Sequence, residues 1–204
     1  MSPRNKELSQ EMRLQSRAAL VAAARKLFAE NGYFNVRISD IALQADMSQG
    51  NVYWYFSSKE ELLKAVLADA FESLDAVIEQ AAASPIPASQ KLDSLVDHLL
   101  EYARTGNEFT AIMLSLMGAG RDNLIARLGF DMDKIGLGYT RSMLSILTQA
   151  QAEGVIRPEI DLLAVTMMFF GLFNGLNLTY RQEWLALPEE TIKAGISRLL
   201  GVLD

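Results

Sequence analysis

Residues 48–56, SQGNVYWYF, hold the side chains best suited to chemistry in this 204-residue chain. Gln49 and Asn51 carry carboxamides that can donate to and accept from one adenine edge at once. Gly50, between them, lets the backbone come close to a partner. Tyr53, Trp54 and Tyr55 supply two phenol hydroxyls and an indole N–H, all able to donate to phosphate oxygens. Four consecutive aromatics sit about 100° apart on a helix, so they cannot all face one core. Val52 and Phe56, at i and i+4, take the core side, which leaves the other three for a different surface. The alternative is a short buried helix whose aromatics fill space between neighbours. Against it, glutamine, glycine and asparagine crowd the same turn, where a buried helix needs aliphatics.

Other chemistries find little support. There is no cysteine, and His98 is the single histidine, which excludes disulfide frameworks, thiol nucleophiles and Cys/His zinc sites. Gly136-x-Gly138 lacks the third glycine and the preceding strand of a dinucleotide site. No nucleophile elbow, Walker loop or His/carboxylate metal spacing occurs, so neither an enzyme, a cofactor nor a metal is expected. The net charge of −6 looks wrong for a nucleic-acid binder. Its distribution says otherwise: residues 1–59 hold eight Lys/Arg and five Asp/Glu, a surplus of three positive charges that leaves −9 for the remainder. The N-terminus has no apolar signal segment. The most apolar run, 162–178, is short and carries Thr166, Asn174 and Asn177, less than a membrane span needs. A cytoplasmic protein is expected.

The elements that must position these residues read as helices throughout. Leu20, Ala24, Leu27 and Phe28 share one helical face, which Asn31-Gly32 stops. Ile38, Ile41, Ala42 and Ala45 mark a short second helix, and Asp46-Met47 a tight turn. Ser48 caps a third helix over 49–56. Ser57 and Ser58 open a fourth, with Glu60 and Glu61 complementing its positive end and Lys59 beside free backbone N–H groups, a seat for phosphate. Residues 83–89 are a linker. Helices follow through 92–102, around 109–117, and from about Gly120 to Glu153. Asp161 caps an apolar helix to about Trp184, and Pro188 starts the last one as its first residue. The expectation is an all-α chain of about nine helices. A three-helix helix-turn-helix DNA-binding domain occupies 1–58, and a helical effector-binding and dimerisation domain occupies 59–204.

Helix, short turn, helix over 38–56 is helix-turn-helix spacing, whose second helix enters the DNA major groove. The ordered run GYFNVRISDIALQADMSQGNVYWYFSSKEELLKAV, with Phe28 ahead of it, resembles the DNA-binding segment of the TetR family of bacterial transcription regulators. The resemblance covers about residues 15–66. It implies that Gln49, Gly50, Asn51, Tyr53 and Trp54 lie in or at the major groove. It also implies phosphate contacts from Arg37, Ser48, Tyr55 and Lys59. Two positions depart from the family pattern. Val36-Arg37 stands where a Ser or Thr cap is common, with Arg37 replacing a hydroxyl contact by a charge. Asp46 stands where the family has glycine, and aspartate tolerates the left-handed region better than most residues.

The C-terminal body matches the family in layout rather than motif. Apolar stripes there provide candidate pocket walls: Phe109, Met113 and Met117; Tyr139 and Met143; Met167, Phe170, Phe173 and Asn174; with His98 at their border. Methionine and aromatic walls suit a permissive apolar pocket, and equally an ordinary core. The helix over 161–184 has a second apolar side, Met168, Gly171, Leu172, Gly175 and Thr179. The last helix has Ile192, Gly195, Ile196, Leu199 and Leu203. The resemblance implies that these two helices form the interface of a homodimer. The functional expectation is a ligand-responsive regulator, a repressor, that binds a near-palindromic operator as a homodimer and is released by a small-molecule effector. The alternative is a helical small-molecule carrier or protein-interaction module without DNA binding.

Overall fold

In the computed structural model the described residues are 3–104, 108–117, 124–181 and 188–199. They form ten α-helices, one 3-10 turn and no strand. The helices are α1 (Pro3–Asn31), α2 (Ile38–Gln44), α3 (Gln49–Tyr55), α4 (Lys59–Ala83), α5 (Ala88–Arg104), α6 (Glu108–Met117), α7 (Leu124–Arg127), α8 (Met132–Ala152), α9 (Leu162–Arg181) and α10 (Glu189–Leu199). The one beyond the expected nine is α7. The helical stretch expected from Gly120 to Glu153 is broken at Gly129, whose φ is +87°, and restarted by the Asp131 carboxylate, which accepts from Lys134 N–H at 2.9 Å. Pro188 stands one residue ahead of α10, its carbonyl accepting from the N–H groups of Thr191 and Ile192.

The chain packs as two units. The first comprises residues 1–71 and 108–130, and the second 72–107 and 131–204. In the first unit α1 packs against α6 and α2, and α2 against α3. Its core takes Leu20, Ala24 and Phe28 from α1, Ile41 and Ala42 from α2, and Val52 and Phe56 from α3 and its end. Leu62, Leu63, Val66 and Leu67 come from α4, and Ile112 and Leu116 from α6. In the second unit α5 packs on α8 and α9. Its core is built from Leu92, Leu95, Leu99, Met143, Ile146, Leu147, Val165 and Phe169, closed by Ile156 and Ile196. Among the described residues no helix is long and apolar enough to cross a membrane, and no cluster of His, Asp or Glu could hold a metal.

The turn between α2 and α3 is built on Asp46. Met47 N–H reaches back to Ala42 O at 2.9 Å and Asp46 N–H to Leu43 O at 3.2 Å, the paired bonds of a Schellman helix end. That geometry needs a left-handed residue, and Asp46 has φ +53°, the only positive φ outside glycine among the described residues. A Cβ-bearing residue there is strained by about 1–2 kcal/mol, least for aspartate and asparagine. Asp46→Gly is therefore expected to keep or raise stability, and Asp46→Val to lower it by about 1–2 kcal/mol. Urea unfolding of the three proteins, followed by helical circular dichroism, checks the order.

Candidate nucleic-acid interface and effector cavity

α3 is seven residues long and owes its place to contacts at both ends and underneath. Ser48 is extended, and its Oγ accepts from Asn51 N–H at 3.1 Å. Val52 and Phe56 are 0% and 2% exposed, the inner side that the i, i+4 pairing predicts. The outer side is open: Gln49, Gly50 and Asn51 are exposed, and Tyr53 and Trp54 are 54% and 60% exposed. Tyr55 is half-buried, its ring set edge-on to Trp54 at 4.6 Å. Amides, glycine and aromatic donors thus stand together on one exposed surface over a buried aliphatic-aromatic base.

The flanking residues divide. Arg37 is exposed at the start of α2. Its backbone N–H donates to Asp40 Oδ2 at 2.8 Å, half of a capping box, and a guanidinium has no acceptor with which to return the other half. Lys59 turns inward instead. Its Nζ donates to Val36 O at 2.6 Å and lies 4.3 Å from the Tyr33 ring centroid. Burial lowers its pKa, opposed by the nearby Asp40. One of its three N–H groups ties the start of α4 to the residue before Arg37, so Lys59 also braces the motif. Two arginines on α1 complete the surface: Arg13 lies over the Trp54 ring at 4.6 Å and Arg17 over Phe56 at 5.1 Å. Nothing local in α1 singles them out, because what joins them to Trp54 and Phe56 is tertiary packing.

The second unit contains a small cavity of about 30 Å³, bounded by Val77, Ile78, Leu95, His98, Leu99, Phe169, Phe170 and Phe173. His98, Phe170 and Phe173 are brought together at this cavity. Tyr139 stacks near Phe170, 6.1 Å between centroids, and Met143 is core. Tyr102 packs on Phe173 at 4.7 Å, and burial raises its hydroxyl pKa strongly. The remaining candidates lie elsewhere. Phe109 and Met113 are in the first unit, where Phe109 meets Phe71 at 5.0 Å. Met167 is 55% exposed and Asn174 is exposed. The Met117 side chain lies outside the described residues. Val77, Ile78, Leu95, Leu99 and Phe169 are walls that periodicity marks only as inward-facing.

Of the expected dimer residues, Met168, Gly171 and Gly175 are exposed, and nothing lies within 4 Å of a Cβ placed on either glycine or on Gly195. Leu172 and Ile192 are half-buried against the unit's own core. Ile196 is 2% exposed within that core, so it faces inward rather than toward a partner. The Thr179 and Leu199 side chains, and Leu203 altogether, lie outside the described residues.

Comparison with known proteins decides what the first unit is. The pattern of bacterial regulatory proteins of the tetR family matches residues 20–66, from the core of α1 through α3 into α4. The chain carries a tetR-family DNA-binding segment. It is a transcription regulator with a DNA-binding helix-turn-helix. The regulator is 25% identical over 155 residues to the fatty acid metabolism regulator protein of Bacillus subtilis, covering 76% of this chain and 78% of that one. It is 25% identical over 203 residues to TtgR of Pseudomonas putida, covering 93% and 87%. Among solved structures it resembles FadR of Bacillus subtilis in complex with stearoyl-CoA, with TM-score 0.67, 23% identity, and 90% and 97% of the two chains covered. It also resembles KstR2 of Mycobacterium tuberculosis, a ketosteroid transcriptional regulator, with TM-score 0.69, 20% identity and 92% and 95% covered.

The regulator's helix-turn-helix also has an acid-sensitive fastening. The Glu61 carboxylate accepts from Ser57 Oγ at 2.7 Å and Ser57 N–H at 2.6 Å. These bonds, the hydroxyl first, hold its pKa below the ordinary 4.5. A carboxylate with a depressed folded-state pKa stabilises fully above its unfolded value and loses that contribution as pH falls through the folded one. Glu61→Gln is therefore expected to flatten the loss of stability below about pH 4.5 and leave its neutral-pH shape unchanged, checked by thermal unfolding across pH 3–7.

Proposed function

We propose that this chain is a ligand-released repressor that reads a near-palindromic operator as a cytoplasmic homodimer and has no catalytic activity. Residues 1–58 read DNA, and 59–204 bind the effector and the second copy. The observation that carries the reading is the exposed face of α3, with Gln49, Asn51, Tyr53 and Trp54 open to solvent above buried Val52 and Phe56. Two such helices about one DNA turn apart, ~34 Å, would engage successive major grooves. Gln49, Gly50, Asn51, Tyr53 and Trp54 face bases; Arg37, Ser48, Tyr55 and the remaining donors of Lys59 take phosphates. The second copy covers the exposed side of α9, Met168, Gly171 and Gly175.

The effector enters at the His98–Phe170–Phe173 cavity. About 30 Å³ is room for little more than a water, whereas small-molecule pockets run to about 300–1,000 Å³. Binding therefore displaces side chains, and that displacement gives an effector its differential affinity for the two states. The apolar walls favour an apolar body, so a long acyl chain is the first candidate, in keeping with a solved relative that holds stearoyl-CoA. A carrier or protein-interaction module would leave the open amides of α3 without a task.

Selection of duplexes from a random pool, followed by salt titration, tests the reading. A near-palindrome bound with a steep negative salt slope is expected; no enriched duplex would overturn it. Tyr53→Ala is expected to weaken operator binding by about tenfold or more with helicity and assembly unchanged. Val77→Phe, which fills the cavity, is expected to bind operator like wild type while failing to release it with long-chain acyl-CoA. Fluorescence anisotropy of labelled operator reads both.

A further inference from the structure

Trp54 presents most of its indole to solvent, yet it is held on two sides. The Tyr55 ring meets it edge-on, 89° between planes, and the Arg13 guanidinium lies 4.6 Å from its centroid. An exposed tryptophan without such neighbours samples several rotamers, and its single N–H donor then points in several directions. A guanidinium engages a ring through its face and keeps its N–H groups at its edges. Arg13 uses none of them in a hydrogen bond or ion pair to a described residue. Arg17, one helical turn on, differs: it lies near enough to Glu61 to lower that carboxyl's pKa, so part of its charge is already answered inside the unit. Arg13 is exposed and sits within residues 1–59, the segment with a positive surplus.

We propose that Arg13 is a specificity-positioning residue for DNA. Its guanidinium face fixes the indole of Trp54 for base contact, while its edge N–H groups take a backbone phosphate flanking the half-site. The interface thereby extends from the helix-turn-helix onto α1. Planarity matters as well as charge. A lysine at this position keeps a phosphate partner but offers a rotating point charge to the ring, so the two roles separate by substitution. The inference rests on α3 being the DNA-reading helix.

The wild-type protein, Arg13→Gln and Arg13→Lys would be titrated with the selected duplex across salt, and with duplexes bearing single base changes. A Trp184→Phe background leaves Trp54 as the one fluorophore of its type, read by acrylamide quenching without DNA. For Arg13→Gln, affinity is expected to fall about tenfold at 150 mM salt, and the log–log salt slope to become shallower by about 0.9 per half-site. Trp54 should quench more readily and base discrimination should relax. Arg13→Lys should restore the slope but neither the quenching nor the discrimination. Wild-type slope and discrimination in Arg13→Gln would overturn the proposal, as would full restoration of discrimination by lysine, which would make Arg13 a charge alone. Helicity equal to wild type in Arg13→Lys keeps the comparison valid where glutamine disturbs α1. Failure of wild type to select any duplex would instead strike the reading of α3 itself.

Discussion

Burial of Val52 and Phe56 is the constraint on which the DNA-reading unit depends. A helix of seven residues falls well short of the ~12–15 at which isolated helices become even marginal in water. Fully burying a valine or phenylalanine side chain contributes about 1.5–3 kcal/mol each, and the Ser48 cap adds about 1 kcal/mol. Packing and capping together outweigh the nucleation cost, and they act on the inner side and first turn only. The outer side is therefore under no folding demand and can be spent on polar and aromatic groups. Recognition chemistry is possible on α3 because its stability comes from elsewhere.

The same division explains what could be read from sequence. The Ser48 cap, the inward Val52/Phe56 pair and the left-handed Asp46 are local rules, each decided within four or five residues, and each is found as expected. Arg13 over Trp54 is different: it joins residues forty-one positions apart by way of where α1 crosses α3, and no periodicity encodes a crossing. The inward turn of Lys59 is likewise tertiary, since its partner carbonyl belongs to Val36.

The second unit shows the complementary failure. Periodicity marked Phe109 and Met113 as inward-facing, but α6 returns to pack on α1, so their interior is that of the first unit. On α9, two apolar sides are visible in sequence, and which one is core was not. Val165 and Phe169 took the core and left Met167 and Met168 outside. Ile196 went inward for the same reason. Helical period identifies a side; it says nothing about which neighbour covers it.

The boundary between the two units falls inside α4, between Phe71 and Glu72, with no loop to mark it, and residues 108–130 belong with the first unit. This bears on modular exchange. A chimera that keeps 1–71 and grafts a foreign sensor after it discards α6, the helix on which α1 rests. A graft point in mid-helix must also preserve phase, since one inserted residue rotates everything downstream by about 100° and advances it about 1.5 Å. The two units of this chain are therefore exchangeable only as an interleaved set, cut at three places and joined in register.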